Sequence, residues 1–140
     1  MDYKNIILGD LNRENPTVPI VDPPLYQEND QPEDKIKALV RQMRRAKSLK
    51  DRIGTMLTAY YMGQVLEYLD EFSMERSKCL KLITPYYRTV AVRTYYLFEI
   101  LGPEQIVRSR TCTLTMVSKI KEPTFLELVN EAVSIAGARI

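Results

Sequence analysis

Residues 35–52 read KIKALVRQMRRAKSLKDR, and they carry eight of the chain's twenty Lys and Arg residues with Asp51 as the one acid. The apolar residues of this stretch recur at the spacing i, i+3, i+4, i+7, which is the pattern of one helix face. They are Ile36, Leu39, Val40, Met43 and Ala46. The stretch therefore predicts an amphipathic helix that buries this stripe in a core.

Basic residues occupy the helix face next to the apolar stripe. On a helical wheel that advances about 100° per residue, five cations fall in a sector of roughly 80° to 180° from Ile36. These five, here named the basic ridge, are Lys37, Arg41, Arg44, Arg45 and Arg52. Lys35, Lys47 and Lys50 fall outside the sector.

Like charges four residues apart on a helix repel by about 0.2–0.5 kcal/mol per pair, and a bound anion relieves that repulsion. Arginine also binds phosphate oxygens through two parallel N–H groups. The sequence favours nucleic-acid phosphates as the anion. The two alternatives are acidic residues of the N-terminal arm or of a neighbouring subunit, and an anionic membrane surface.

Charge is distributed unevenly along the chain, although the formal net charge is only +2. Residues 1–34 hold eight acids and two bases, residues 35–52 have a net charge of +7, and residues 53–140 have a net charge of +1. This separation of an acidic segment from a basic one indicates contact with an anionic partner or with the acidic segment of another copy.

Two further cations, Arg88 and Arg93, stand among closely spaced tyrosines at positions 86, 87, 95 and 96. Proteins that bind single-stranded nucleic acid mix basic and aromatic residues in this way. The alternative is that these tyrosines belong to the core and to subunit interfaces. Motifs that read bases are absent, so any contact with nucleic acid is predicted to be independent of sequence.

The composition argues against an enzyme. The chain has no histidine, which excludes Ser-His-Asp and Cys-His chemistry and histidine-ligated metals. Its five glycines are too scattered for a phosphate-binding loop, and Cys79 and Cys112 are predicted to be small buried hydrophobes. We therefore expect no catalytic residue, metal or cofactor, and neither a signal peptide nor a membrane span in an intracellular chain.

The first 34 residues are predicted to form an extended, acidic, proline-rich arm. Five of the eight prolines lie between positions 16 and 32, and proline fixes φ and has no N–H to donate. Residues 3–11 are compatible with a short helix or a strand. We predict that the arm orders against a partner or a neighbouring subunit, with a disordered tail as the alternative.

Residues 35–140 predict an all-α bundle that opens with the basic amphipathic helix. Ser73 is predicted to cap a helix, and Pro85 either kinks that helix or begins the next one. Residues 86–101 are rich in β-branched and aromatic residues, which leaves a strand open, but their length and the following Gly102-Pro103 favour a helix.

Two more helical segments complete the bundle. One is predicted over residues 103–121, with the Thr-rich TCTLT as its weakest part, and one begins at Glu122-Pro123 and ends before Gly137. The predicted fold class is thus a helical bundle of four to five helices with an extended proline-rich N-terminal arm.

An arm followed by a helical bundle, with residues 114–137 reading LTMVSKIKEPTFLELVNEAVSIAG, resembles the major coat proteins of filamentous archaeal viruses, the rudivirus and lipothrixvirus group. The resemblance implies a virion protein that is assembled in the host cytoplasm. It implies pairs of subunits, copies of this chain or of a paralogous coat protein, that encase double-stranded DNA in an A-like form. A lipid envelope is a further partner in this group.

In such an assembly the arm and the first helix face the phosphates, a role that would fall on the basic ridge. The acidity of residues 1–34 departs from that pattern, so these residues either touch DNA or clasp the neighbouring subunit. The alternative function is a helical scaffold subunit of a cellular replication-type complex that resembles the GINS group. There the basic helix would be a protein interface.

Overall fold

The computed structural model describes residues 2–11, 24–109 and 111–138. Within these ranges the chain forms eight α-helices and no strand. The helices are α1 (Tyr3–Leu11), α2 (Pro32–Ser48), α3 (Arg52–Glu67), α4 (Met74–Lys81), α5 (Pro85–Leu101), α6 (Glu104–Arg108), α7 (Leu114–Lys119) and α8 (Glu122–Ala138). The prediction of an all-α protein is confirmed, and the predicted count of four to five helices is too low.

Helices α3 and α5 form the centre of the bundle and make its most extensive helix–helix contact. Helix α2 covers α3, α8 covers α5, and α1 packs on α8 and α7. The two central helices can approach closely because Gly63 has no side chain where α3 meets the Ala91 carbonyl and the Tyr95 Cβ of α5. The core is therefore built around one tight helix pair.

The segment for which a strand was left open is the central helix α5. Pro85 is its first residue, and its buried residues, such as Val90, Ala91, Thr94 and Leu97, recur every three or four positions. Gly102 follows its last residue with a φ of 90°, a left-handed conformation that glycine adopts without strain. Helical periodicity thus outweighs the β-branched composition because it places one continuous face in the core.

Side-chain caps define where several helices begin. The Ser73 hydroxyl accepts a hydrogen bond from the Arg76 N–H at 3.1 Å, as the sequence predicts for α4. Asp51 caps α3 in the same way, through a 2.9 Å bond from the Gly54 N–H. These caps satisfy N–H groups that the helices themselves leave without a partner.

The corner between α2 and α3 has an unusual backbone. Lys50 has a φ of 54°, which makes it the one non-glycine residue with a positive φ in the described ranges. The Asp51 N–H bonds back to the Ala46 carbonyl at 2.9 Å and closes the turn. Glycine or asparagine is usual at such a position, because a left-handed conformation costs other residues roughly 1–2 kcal/mol.

Segment 103–121, predicted as one helix, is divided into α6 and α7. The break lies between Arg108 and Leu114, close to the Thr-rich part that the sequence marks as weakest.

The prediction that α8 ends before Gly137 is wrong. The helix includes Gly137 and continues to Ala138.

The predicted arm begins with a helix. Residues 3–11 form α1, and its Ile7 is fully buried in the core, so this part of the arm belongs to the bundle. Residues 12–23 lie outside the described residues, and the extended proline-rich arm stays a prediction there.

Cys79 and Cys112 are both buried and unbridged, as expected, and burial raises the pKa of the Cys112 thiol to about 12.

We expect Gly63→Ala to lower the free energy of unfolding by about 1–3 kcal/mol, because a Cβ there overpacks the α3–α5 contact. That atom would lie under 3.0 Å from the Ala91 carbonyl oxygen, which is backbone and cannot rotate away. Chemical denaturation followed by circular dichroism measures the change.

Gly137→Ala is the matched control, because a Cβ there meets nothing within 4 Å. Its unfolding free energy should stay the same or rise by up to about 1 kcal/mol. Equal stability of the two variants would contradict the close α3–α5 contact.

Candidate nucleic-acid interface

Helix α2 separates its apolar and basic faces as the sequence predicts. Ile36, Leu39, Met43 and Ala46 are buried, and Val40 is partly buried at the edge of the core. Lys37, Arg41, Arg44 and Arg45 are exposed on the other side. The amphipathic pattern of the sequence therefore places the apolar face of α2 against α3 and leaves the basic face exposed.

These four cations form no ion pair or hydrogen bond with any other residue that the structure describes. The acids of α2, Glu33 and Asp34, lie in its first turn, at the opposite end from Arg44 and Arg45. The positive charge is thus neutralised neither by the helix nor by the described part of the bundle. It is open to an external anion.

Arg52, the fifth member of the ridge, is placed elsewhere. Its guanidinium donates to the backbone carbonyls of Ser109 at 2.6 Å, Cys112 at 3.1 Å and Ile106 at 3.3 Å. It therefore ties the start of α3 to the connection between α6 and α7. The structure does not bring Arg52 together with the four exposed cations of α2.

Asp10 contacts the same connection from the other side, a role that sequence reasoning missed. Its carboxylate accepts hydrogen bonds from the Ser109 hydroxyl, from the Thr111 N–H at 2.8 Å and from the Cys112 N–H at 3.3 Å. Asp10 is only 4% exposed. A buried acid at the end of an apolar stretch, IILGD, is the signal that could have found it.

Arg93 and Arg88 also bind backbone carbonyls within the fold. Arg93 donates to the carbonyls of Ile120 at 2.7 Å and Val117 at 3.2 Å and pairs with Glu122 at 2.8 Å. Arg88 donates through Nε to the Ile83 carbonyl at 2.8 Å. Both guanidinium groups join α5 to the segments before and after it.

The tyrosines among these arginines are divided between core and surface. Tyr95 is buried against Tyr60, and burial raises its pKa to about 12. Tyr60 donates to Glu99 at 2.7 Å, and Tyr96 donates to Glu67 at 2.6 Å. Tyr86, at the start of α5, and Tyr96 are both exposed, with 45% and 47% of their surface accessible. The predicted mixture of cations and aromatics thus forms no continuous stacking surface on α5.

A cleft of about 480 Å³ lies beside the basic helix, where the end of α2 and the start of α3 face the starts of α5 and α7. Lys47 and Lys50, which the helical wheel left outside the ridge, line it together with Tyr86 and Tyr87. The Lys47 ammonium lies 5.3 Å from the centre of the Tyr87 ring, and the Tyr87 hydroxyl raises the pKa of Lys47. Sequence reasoning missed this cleft because its walls are far apart along the chain.

Comparison with known proteins gives no relative: no family model, no curated protein and no solved structure matches the chain. In the described ranges no group of His, Cys, Asp and Glu residues is arranged to hold a metal ion. None of the helices found there is long and apolar enough to cross a membrane.

We expect Arg52→Gln to lower the free energy of unfolding by about 2–4 kcal/mol, because three carbonyls lose a charged donor and stay partly buried. Arg41→Gln removes the same charge from an exposed, unpaired position and should change stability by less than about 0.5 kcal/mol. Urea denaturation of both variants measures the difference. Similar stabilities would show that the Arg52 bonds do not organise the α6–α7 connection.

Proposed function

We propose that this chain is a structural DNA-packaging protein, the major coat subunit of a filamentous virion that binds duplex DNA without reading its sequence. The observation that carries the proposal is a set of four exposed cations on α2 that pair with no described residue: Lys37, Arg41, Arg44 and Arg45. A coat must neutralise about one charge per 1.7 Å of duplex axis, and a basic helix repeated in every subunit supplies that charge. The resemblance to the coat proteins of filamentous archaeal viruses supports the same role.

The nucleic-acid surface proposed here is narrower than the seven residues that the sequence suggests. Arg52, Arg88 and Arg93 direct their guanidinium groups to backbone carbonyls of the protein. They can add long-range positive potential, but the direct phosphate contacts fall to the four α2 residues. Three of these are arginines, which bind phosphate through two N–H groups at once.

The alternative function is a scaffold subunit of a cellular, replication-type complex, with helices as protein interfaces. Exposed apolar side chains at the connection of α3 and α4 favour protein contact. Phe72 is 94% exposed, and Tyr68 and Met74 are exposed beside it in the sequence. Because exposed apolar side chains that cluster, unlike scattered single ones, mark protein contacts, this connection is a candidate subunit contact in either function.

The two functions predict different assemblies. Heterologous contacts that do not close produce a filament, whereas a scaffold complex stops at a small number of subunits. Negative-stain images of the purified chain with and without duplex DNA distinguish them. DNA-dependent filaments support the coat function, and a defined small oligomer that ignores DNA supports the scaffold function.

We expect the variant Arg41→Gln, Arg44→Gln, Arg45→Gln to lose most of its duplex affinity while it keeps its helical content. The slope of log K against log salt concentration is negative, and each lost phosphate contact makes it shallower by about 0.9. The slope of this variant should therefore be about 2.7 less steep than that of the unaltered chain. Fluorescence anisotropy of a labelled duplex across a salt series gives both quantities.

The control variant is Lys78→Gln, Lys81→Gln, Lys121→Gln, which removes three exposed cations at positions outside α2. Its salt slope should stay close to that of the unaltered chain. A slope near zero in the unaltered chain, or equal losses in both variants, would exclude α2 as the DNA surface.

A further inference from the structure

The cleft between α2, α3, α5 and α7 has a chemistry of its own. Its volume of about 480 Å³ is within the range of about 300–1,000 Å³ that is usual for small-ligand sites. It is formed by residues 47–55, 84–87 and 113–115, which come from three separate parts of the chain. The basic ridge does not contribute its four exposed cations to it.

The charge of the cleft is positive. Lys47, Lys50 and Arg52 line it with Asp51 as the one acid among its lining residues. Asp51 is occupied by the α3 cap, and Arg52 by the carbonyls of the α6–α7 connection. The ammonium groups of Lys47 and Lys50 are exposed, and neither forms an ion pair with a described carboxylate, although Lys47 also contacts Tyr87.

The backbone at Lys50 is a second indication of a ligand. A left-handed φ of 54° is strained for lysine, and the turn would accept glycine without strain. Strained residues of this kind concentrate at ligand-binding positions, where the side chain matters more than the backbone energy. Lys50, the residue with this strained backbone, is also one of the residues that line the cleft.

The other wall supplies an aromatic surface and hydroxyl groups. Tyr86 is 45% exposed, and its ring meets that of Tyr87 edge to face, with 5.0 Å between centroids. The Thr84 hydroxyl lines the cleft and makes no capping bond to α5. A flat ring next to two cations offers stacking and charge to one ligand.

We propose that this cleft binds a phosphorylated nucleoside, with the phosphate on Lys47 and Lys50 and the base against the exposed ring of Tyr86. The nucleoside phosphate is either a free nucleotide or an unpaired nucleotide of a strand. A paired duplex cannot supply it, because its bases are stacked inside the helix. The proposal therefore does not depend on duplex packaging by α2.

The test is calorimetric titration of the chain with ATP, adenosine and pyrophosphate. ATP should bind with one site per chain, and adenosine or pyrophosphate alone should bind at least about tenfold more weakly, since each makes only part of the contacts. Absence of ATP binding overturns the proposal. Equal binding of ATP and pyrophosphate overturns the nucleoside part.

Lys50→Gly separates ligand binding from folding. The variant should raise the melting temperature, because glycine relieves the left-handed strain, and it should weaken ATP binding about tenfold through loss of one charge-assisted contact. Lys47→Gln should weaken binding by a similar factor. Lys78→Gln, which removes an exposed cation of α4, should leave ATP binding unchanged, and a loss there would overturn the assignment to the cleft.

Tyr86→Ala and Tyr86→Phe test the base contact. The alanine variant should weaken ATP binding about tenfold, because base–aromatic stacking contributes about 1–3 kcal/mol, and the phenylalanine variant should bind as the unaltered chain does. An alanine variant that binds ATP normally would remove Tyr86 from the site.

The two sources of the ligand are separated with a 5′-phosphorylated oligothymidylate and a duplex of the same length. Tighter binding of the oligonucleotide than of ATP assigns the cleft to an unpaired strand, and equal binding assigns it to a free nucleotide. The Arg41, Arg44, Arg45 triple variant should lose the duplex and keep ATP. Loss of both ligands in that variant would overturn the separation of the cleft from the ridge.

Discussion

The connection between α6 and α7 is held by two opposite charges, and much of the surrounding structure depends on them. The Arg52 guanidinium donates hydrogen bonds to the carbonyls of Ile106, Ser109 and Cys112. The Asp10 carboxylate accepts hydrogen bonds from the Ser109 hydroxyl and from the N–H groups of residues 111 and 112. An irregular segment inside a bundle needs such partners, because its own backbone groups are not paired in a helix. This segment therefore links Asp10 of α1 to Arg52 of α3, two residues that are distant in the sequence.

The same arrangement shapes both candidate sites. The arrangement holds the Arg52 guanidinium at the α6–α7 connection, beyond the turn that ends α2 at Ser48, so four of the five basic-ridge cations lie on the exposed face of α2. It also places Arg52 and residues 113–115 in the wall of the cleft that Lys47 and Lys50 line. The surface of α2 that we propose for duplex phosphates and the cleft that we propose for a nucleotide are therefore separate places on the bundle.

The arginines of this chain divide by what surrounds them. Arg52 and Arg93 donate hydrogen bonds to backbone carbonyls near the ends of helices. These carbonyls have no partner within their own helix, so the arginines satisfy acceptors that would otherwise be unpaired. Arg41, Arg44 and Arg45 bind no such carbonyl among the residues that the structure describes, and they are exposed. Residue type alone therefore does not mark a phosphate-binding residue, because the same five N–H donors serve either purpose.

Periodicity made much of the fold predictable from the sequence. The apolar stripe of α2, the Ser73 cap, and the boundary of α5 between Pro85 and Gly102 follow from local rules that act within a few residues. The division of segment 103–121 was not predictable, because it is fixed by Asp10 and Arg52 from outside the segment. For the same reason the sequence predicted a ridge of five cations, without showing that Arg52 would bind inside the fold, and did not indicate the cleft.

The sequence by itself determined an all-α chain, with one helix that carries an apolar face and a basic face. Local spacing and capping are sufficient for this, since they depend on neighbours one to four positions away. Tertiary structure decided which cations are left for a ligand and which serve the fold. That choice depends on carbonyls, carboxylates and aromatic rings that lie dozens of residues away in the chain and become neighbours only when the helices pack.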